Sequence, residues 1–245
     1  MKNVIVFLFF FFFNINAFSQ NNICRSSIWD NSELFQKNEI DKYDNYDFSG
    51  LWTTTESNAV AGVIGDNYQR ILIKLTSIKR NEKNKTEYIV HGKSSVKSNI
   101  CDFTGTITIV KIKELKKPKF GVDDEYKNAG IKSQGLLTAN YKFIENKSQK
   151  NTGEFQGKLQ TIFYIDKHNL VKYNDIESYR DNYFNNAFVG IWKSNNSGKD
   201  KICNWGDYRV PNVNCDFDIG AGDLSISQKY LKNGWEVKPK QNWWK

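Results

Sequence analysis

The chain has few of the residues and motifs that mark enzymes and metal sites. Its 245 residues include two histidines and four cysteines, with no C-x-x-C pair and no G-x-S-x-G, H-E-x-x-H or P-loop sequence. The usual signatures of zinc sites, serine hydrolases and phosphate-binding loops are therefore missing. We expect no catalytic residue, no metal and no cofactor. A carboxylate pair for glycoside chemistry stays open as the enzymatic alternative, among Asp207, Asp216, Asp218 and Asp223.

Long apolar runs are also scarce. The stretch "VIVFLFFFFF" at 4–13 has ten residues, too few to span a membrane, which takes roughly 20 in a helix. Lys2 precedes it and an A-x-S pattern at 17–19 follows, an arrangement typical of a signal peptide. We predict a cleaved signal peptide at 1–19, no transmembrane segment, and export to the periplasm or the extracellular space as a soluble protein. An N-terminal segment at 20–45 would follow.

The four cysteines all come after the predicted cleavage site. An even number of cysteines in an exported chain favours disulfides over metal binding. Cys203 and Cys215 bracket the turn-rich stretch "NWGDYRVPNVN", which predicts a local bridge between them. By elimination, Cys24 is expected to pair with Cys101.

Acidic residues are outnumbered, because 35 lysines and arginines against 27 aspartates and glutamates give a formal net charge of +8. The two signs are interspersed, and the densest basic run, "KIKELKKPK" at 111–119, fits a strand end with a solvated face. No nucleic-acid-binding motif accompanies the charge. We therefore expect no nucleic-acid partner, and a monomer.

The body of the chain alternates between apolar and polar residues with period two, the pattern of half-buried strands. The clearest stretches are "YQRILIKLTSI" (68–78), "TGTITIVKI" (104–112), "GLLTANYKFI" (135–144) and "EFQGKLQTIFYI" (154–165). The stretch "NDIESYRDNYFNN" at 174–186 instead spaces apolar residues along a helix face. The predicted fold class is all-β: a single antiparallel meander β-barrel of about eight strands at 46–198, with one short helix before the last strand.

The motif Phe-x-Gly-x-large occurs four times, at 48–52, 103–107, 155–159 and 188–192. A glycine between two bulky inward side chains marks a bend or a close backbone approach, so we interpret these glycines as barrel corners. The first and last copies, "FSGLW" and "FVGIW", predict that the first and last strands pair and bring Trp52 beside Trp192. The predicted seam and interior residues are Phe48, Gly50, Trp52, Phe188, Gly190 and Trp192.

With Gly-x-Trp in its first predicted strand and a short helix before its last, the chain resembles the calycins, the group of lipocalins and avidin-like proteins. The resemblance covers roughly residues 46–195. It implies an up-and-down barrel that holds a small apolar ligand in its mouth or interior. Avidin-like proteins carry Asn two residues after the Trp, where this chain has Thr54 and Ser194, so the biotin-contacting pattern is not carried over.

The C-terminal extension at 199–245 is rich in tryptophan and aspartate. Its aspartates fit turns better than a calcium loop, because Gly220 and Ala221 occupy the positions where an EF-hand needs an oxygen ligand and a glycine. A loop closed by a disulfide presents side chains at low ordering cost. We therefore predict a partly exposed ligand-binding patch at one end of the barrel, formed by Trp205, Asp207, Tyr208 and Arg209. The alternative buries both aromatic residues as a plug and pairs the aspartate with the arginine.

Two functions remain open at this point. Binding of a small apolar or amphipathic ligand requires an open barrel interior. A protein- or glycan-binding module, such as a secreted inhibitor, requires a plugged barrel with an exposed aromatic patch. Bulky inward residues favour the second function, and the calycin resemblance favours the first. We rank ligand binding first.

Overall fold

The computed structural model describes residues 23–24 and 31–245, so the signal peptide predicted at 1–19 lies outside the described residues. The described part is all-β, as the alternating pattern predicts. Its strands are β1 (Ile23–Cys24), β2 (Val60–Ile64), β3 (Gln69–Arg70), β4 (Leu72–Asn81), β5 (Asn84–Val96), β6 (Asn99–Glu114), β7 (Ser133–Glu145), β8 (Gly153–Ile165), β9 (Val171–Tyr173), β10 (Asn185–Ser194), β11 (Asp200–Asp207) and β12 (Val213–Asn214). Short 3-10 helices lie at Asn31–Glu33, Ile40–Tyr43, Ser49–Trp52, Val122–Asp124 and Gln228–Asn233.

Ten of these strands form one curled antiparallel sheet. Its order is β3-β2-β11-β10-β8-β7-β6-β5-β4, with β9 beside β8, so chain neighbours are mostly sheet neighbours, as in a meander. The two ends of this order, β3 and β4, are separated in the chain by Ile71 alone. The N–H of Ile71 donates to the Gly62 oxygen at 3.0 Å. The sheet therefore curls into a half-barrel, called the barrel below, whose end strands β3 and β4 follow one another at Ile71, and its inner face lines the main apolar core.

Three of the four Phe-x-Gly glycines lie where backbone or side chains approach closely, as the motif predicts. Gly157 of β8 stands directly opposite Gly190 of β10. A Cβ atom on Gly190 would lie 2.8 Å from the Gly157 Cα and 2.7 Å from the Tyr141 hydroxyl. A Cβ on Gly105 would lie 2.7 Å from the Phe143 Cα. Any side chain at these positions would clash, so glycine permits the tight curl of the sheet.

Aromatic rings fill the middle of the interior. Phe188 stacks on Trp205 with ring centroids 4.6 Å apart, and Phe103 stacks on Phe143 at 5.1 Å. Phe155 lies edge-on to Trp205 at 5.9 Å. All five side chains are at most 2 % exposed. The filled interior that the bulky inward residues predict is therefore present in this middle layer, which we call the aromatic belt.

Residues that precede β2, among them Tyr43, Phe48, Leu51 and Trp52, close one end of the curled sheet, which we call the plugged end. The first copy of the motif forms the 3-10 helix Ser49–Trp52 instead of a strand. No atom lies within 4 Å of a Cβ built at Gly50, so this glycine is not at a close backbone approach and this copy is not a barrel corner. The Trp52 ring lies edge-on to Tyr88 at 5.0 Å, and its indole N–H donates to the Thr161 hydroxyl at 3.0 Å.

The prediction that Trp52 and Trp192 lie side by side on paired strands is therefore wrong. Trp192 lies in β10, whose neighbours in the sheet are β8 and β11, whereas Trp52 is in the plug. In chain order, the first strand of the sheet is β2 and the last is β11. These two strands do pair, with Trp205 opposite Gly62. Because β11 is part of the wall, the sheet continues to Asp207, beyond the predicted domain boundary at 198.

The helix predicted over 174–186 is also wrong. Residues 174–184 form turns, and the last two residues of the stretch begin β10. The Asn174 side chain accepts a hydrogen bond from the Ile176 N–H at 3.3 Å, and the Ser178 N–H donates to the Asp175 oxygen, three residues back. Side-chain bonds of this kind compete with the helical backbone pattern.

The C-terminal residues beyond β11 pack on the outside of the wall. A second apolar cluster joins the outer face of β2 to the extension, through Ala61, Val63, Tyr68, Val210, Val213, Phe217, Tyr230 and Trp235. The residues after β11 therefore pack against the outer face of one wall. The interior of the barrel is filled by side chains of the strands and the plug.

Neither predicted disulfide is present, because Cys101 and Cys203 are buried free thiols. Cys203 lies in β11, within the main core, while Cys215 is exposed on the outer side, so the two cannot bridge. Cys215 is itself disulfide-bonded. The C-terminal extension is thus not pinned to the barrel through Cys203.

Candidate ligand-binding recess

The end of the barrel opposite the plug carries a recess of about 660 Å³. The turns at 65–68, 97–98, 146–152 and 195–199 surround this end, which we call the open end. Deeper side chains in the recess are apolar or aromatic and include Ile64, Ile71, Phe155 and Trp192. The rim residues Asp66, Asn67, Lys97, Asp200 and Lys201 are exposed to solvent. A volume of this size falls within the roughly 300–1,000 Å³ range of small-molecule pockets.

The buried carboxylate of Glu145 is the central polar group of this recess. It is 3 % exposed and ends β7, on the same inward face as Tyr141 and Phe143. The Ser94 hydroxyl donates to its Oε1, while the Trp192 indole N–H and the Gly153 N–H donate to its Oε2 at 2.9 and 2.7 Å. Burial raises the pKa of Glu145, and the three hydrogen bonds oppose that rise by favouring the charged form.

The recess has more acidic than basic side chains, although the whole chain is basic. Its lining includes three carboxylates, Asp66, Glu145 and Asp200, and two lysines, Lys97 and Lys201. None of these five forms a salt bridge with another described residue. The Lys201 ammonium instead lies 5.5 Å from the centre of the Trp192 ring. The recess therefore combines an unpaired buried carboxylate with an aromatic face that accepts a cation.

A second buried carboxylate, Asp207, lies at the plugged end. Its Oδ2 accepts hydrogen bonds from the Thr55 hydroxyl at 2.7 Å, the Tyr173 hydroxyl at 2.9 Å and the Asn186 amide at 2.6 Å. A bulge between Asn185 and Phe188 interrupts the pairing of β10 with β11, and bulges re-aim side chains in this way. Burial raises the pKa of Asp207 to about 6. The cavity that Asp207 lines is only about 20 Å³, so a ligand of ordinary size has no room beside this carboxylate.

The predicted exposed patch does not exist as a surface. Trp205 and Arg209 are 1 % exposed and Asp207 is 4 % exposed, whereas Tyr208 is 42 % exposed. Trp205 belongs to the aromatic belt because β11 forms part of the wall. The alternative pairing of the aspartate with the arginine is also wrong, since Arg209 bonds to Asp218 at 2.5 Å. The four patch residues therefore lie in four different environments and form no common surface.

Arg209 and Asp218 organise the aspartate-rich loop. The guanidinium of Arg209 also donates to the backbone oxygens of Gly220, Ala221 and Gly222. The second carboxylate oxygen of Asp218 accepts the N–H groups of Gly220 and Ser225, both at 3.1 Å. This loop is held by turn chemistry, as the sequence predicts, with a buried arginine as its centre.

Two residues of the recess could have been found from the sequence. The alternation that places Tyr141 and Phe143 inward continues to Glu145, a charged residue on an otherwise apolar face. Trp192 was identified, but for a role at the seam. The contact between the Gly153 N–H and Glu145 could not be predicted from the sequence. It depends on the turn before β8 and on the register of the strands that this turn joins.

Comparisons of the chain with protein-family models, with curated proteins and with solved structures found no match. Within the residues that the structure describes, no helix has the length and apolar character needed to cross a membrane.

Proposed function

We propose that this chain is an exported, non-enzymatic binding protein that holds a small amphipathic molecule in the recess at the open end. The observation that carries the proposal is the recess itself, with its apolar floor, its solvent-exposed rim and the buried carboxylate of Glu145. The aromatic belt limits the depth of the recess, so the ligand would sit in the mouth of the barrel. This placement agrees with what the calycin resemblance implies.

Export is part of the same proposal. It rests on the charged, apolar and small-residue regions of the N-terminal sequence at 1–19. The disulfide of Cys215 also supports it, because structural disulfides persist mainly in oxidising compartments.

The interaction-module hypothesis has less support. It needs an exposed aromatic surface on the C-terminal extension, yet Trp205 is in the core and Trp235 is 9 % exposed, packed against Phe217. Trp243 and Trp244 are half-buried and line a smaller cavity of about 240 Å³. We therefore place the ligand in the barrel mouth and not on the extension.

Binding of Nile red, a neutral apolar fluorophore, tests the proposal. We expect saturable one-to-one binding with increased fluorescence in the wild-type protein. Val96→Trp should weaken this binding by roughly tenfold or more, because Val96 lines the recess and the larger ring would fill it.

Ile100→Trp is the matched control, since Ile100 belongs to the same end of the barrel and is 42 % exposed outside the recess. It should bind Nile red as the wild type does. Absence of saturable binding to the wild type, or equal binding to both tryptophan variants, would overturn the proposal.

A further inference from the structure

Glu145 is a buried acid without a cationic partner among the described residues. Its three donors, on Ser94, Gly153 and Trp192, are all neutral. A buried charge is costly unless an opposite charge compensates it, and an ionised carboxylate has about four acceptor positions, of which three are used here. The recess therefore has an unmet preference for a hydrogen-bond donor that carries positive charge.

The indole of Trp192 provides the second feature. Its edge donates to Glu145, while one ring face lies near the Lys201 ammonium at 5.5 Å from the ring centre. An ammonium over an indole face is attracted by the ring quadrupole. The protein's own lysine thus already occupies a cation position at the mouth of the recess.

We propose that the ligand is an amphipathic amine, with a protonated ammonium that donates to the unused acceptor position of the Glu145 carboxylate beside the Trp192 ring, and an apolar body against Phe155 and Ile71. This inference rests on the proposed function and specifies the chemical class of its ligand. The ammonium supplies the missing charge and donor, and the hydrocarbon covers the apolar floor of the recess.

The same geometry disfavours other amphipathic ligands. A fatty acid would bring a carboxylate to a recess that already contains three carboxylates and two lysines. An alcohol could donate a hydrogen bond to Glu145 but would leave its charge uncompensated. A ligand of either class would therefore leave the charge of Glu145 uncompensated.

Calorimetric titration of three ligands with one chain length, octylamine, octanol and octanoate, tests the inference on the wild-type protein at pH 7. We expect octylamine to bind roughly tenfold or more tightly than octanol, and octanoate to bind most weakly. Glu145→Gln keeps the shape and an acceptor for the Trp192 and Gly153 donors. In this variant the preference for octylamine over octanol should fall to about twofold or less.

Asp102→Asn is the control, because Asp102 is an exposed acid near the same end that pairs with Lys93 and does not line the recess. It should keep the full preference for octylamine. Equal binding of all three ligands to the wild type would leave the proposed function standing and overturn the inference. Failure of all three to bind would overturn both, and a preference retained in Glu145→Gln would overturn the role of Glu145. The wild-type comparison decides the ligand class even if that variant does not fold.

Discussion

At the residue scale, two buried carboxylates lie at opposite ends of one barrel interior, separated by the aromatic belt. Both Glu145 and Asp207 have pKa values raised by burial, and each accepts three hydrogen bonds. The two carboxylates differ in how accessible they are to a ligand. Glu145 lines a recess with a solvent-exposed rim, whereas Asp207 lies under the plug, bonded to Thr55. Glu145 is therefore placed to meet a ligand, and Asp207 is placed to hold the plug.

The pKa of Asp207 predicts a pH dependence of stability. Its folded pKa is raised from an ordinary 3.8 to about 6, so between these pH values the folded state keeps a proton that the unfolded state has lost. The free energy of unfolding should therefore fall as pH rises through this window, by roughly 3 kcal/mol in total at about 1.4 kcal/mol per pH unit. Below pH 3.8 the stabilisation is fully present.

The measurement is urea unfolding of the wild type and of Asp207→Asn at pH values from about 3.5 to about 7, which bracket that window. The contributions of other titrating groups cancel in the difference between the two free energies of unfolding, which should change by roughly 3 kcal/mol across the range. The stability of the wild type relative to the variant should decrease with rising pH. Asp102→Asn should not show this decrease, since hydrogen bonding to Lys93 lowers the pKa of Asp102 and places its titration below the window of Asp207. A difference between wild type and Asp207→Asn that is constant with pH would contradict the account.

At the element scale, the facing glycines of β8 and β10 set the curvature of the sheet. Gly157 and Gly190 pair directly, and the hydroxyl of Tyr141 lies over them. In the same two strands, Phe155 and Trp192 pair directly and both line the recess. The facing glycines therefore lie two residues from strand positions that form the recess.

Gly190→Ala should destabilise the protein by about 2 kcal/mol or more, because the added Cβ would meet the Gly157 Cα at 2.8 Å and the Tyr141 hydroxyl at 2.7 Å. Gly50→Ala provides a control within the same sequence motif, since no atom lies within 4 Å of the corresponding Cβ. Its free energy of unfolding should stay within about 0.5 kcal/mol of the wild type. Similar losses in both variants, measured by urea unfolding, would refute the close-approach explanation.

The alternating stretches predicted the wall strands β4, β6, β7 and β8, because period-two burial is a local property of the chain, whereas β11 was assigned to the extension. The local sequence pattern predicted the wrong secondary structure where tertiary contacts or side-chain hydrogen bonds in turns determined the conformation. "FSGLW" resembles "FVGIW" in sequence, but it forms a 3-10 helix whose Trp52 bonds across the core to Thr161. The 174–186 stretch has helical spacing, yet the Asn174 side chain supports turns instead.

At the scale of the whole molecule, the fold divides the interior into a plugged end, an aromatic belt and an open end. The plug comes from residues that precede the sheet in the chain, and the outer wall is supported by residues that follow it. The recess could not be predicted from sequence alone, because its lining joins residues from β2, β5, β7, β8 and β10 that meet only when the sheet curls. The sequence shows the chemical type of each lining residue, but it does not show which residues lie next to one another in the recess.

Indole N–H resonances in a ¹⁵N–¹H spectrum give the most direct test of where the ligand binds. The chain has seven tryptophans, and Trp192→Phe and Trp52→Phe assign the two informative signals. On saturation with octylamine, the account predicts a shift of the Trp192 indole signal, because this N–H lies at the recess, and no shift of the Trp52 signal at the plugged end. A shift of Trp52 or of the C-terminal tryptophans with Trp192 unchanged would contradict the central claim that the open end is the binding site.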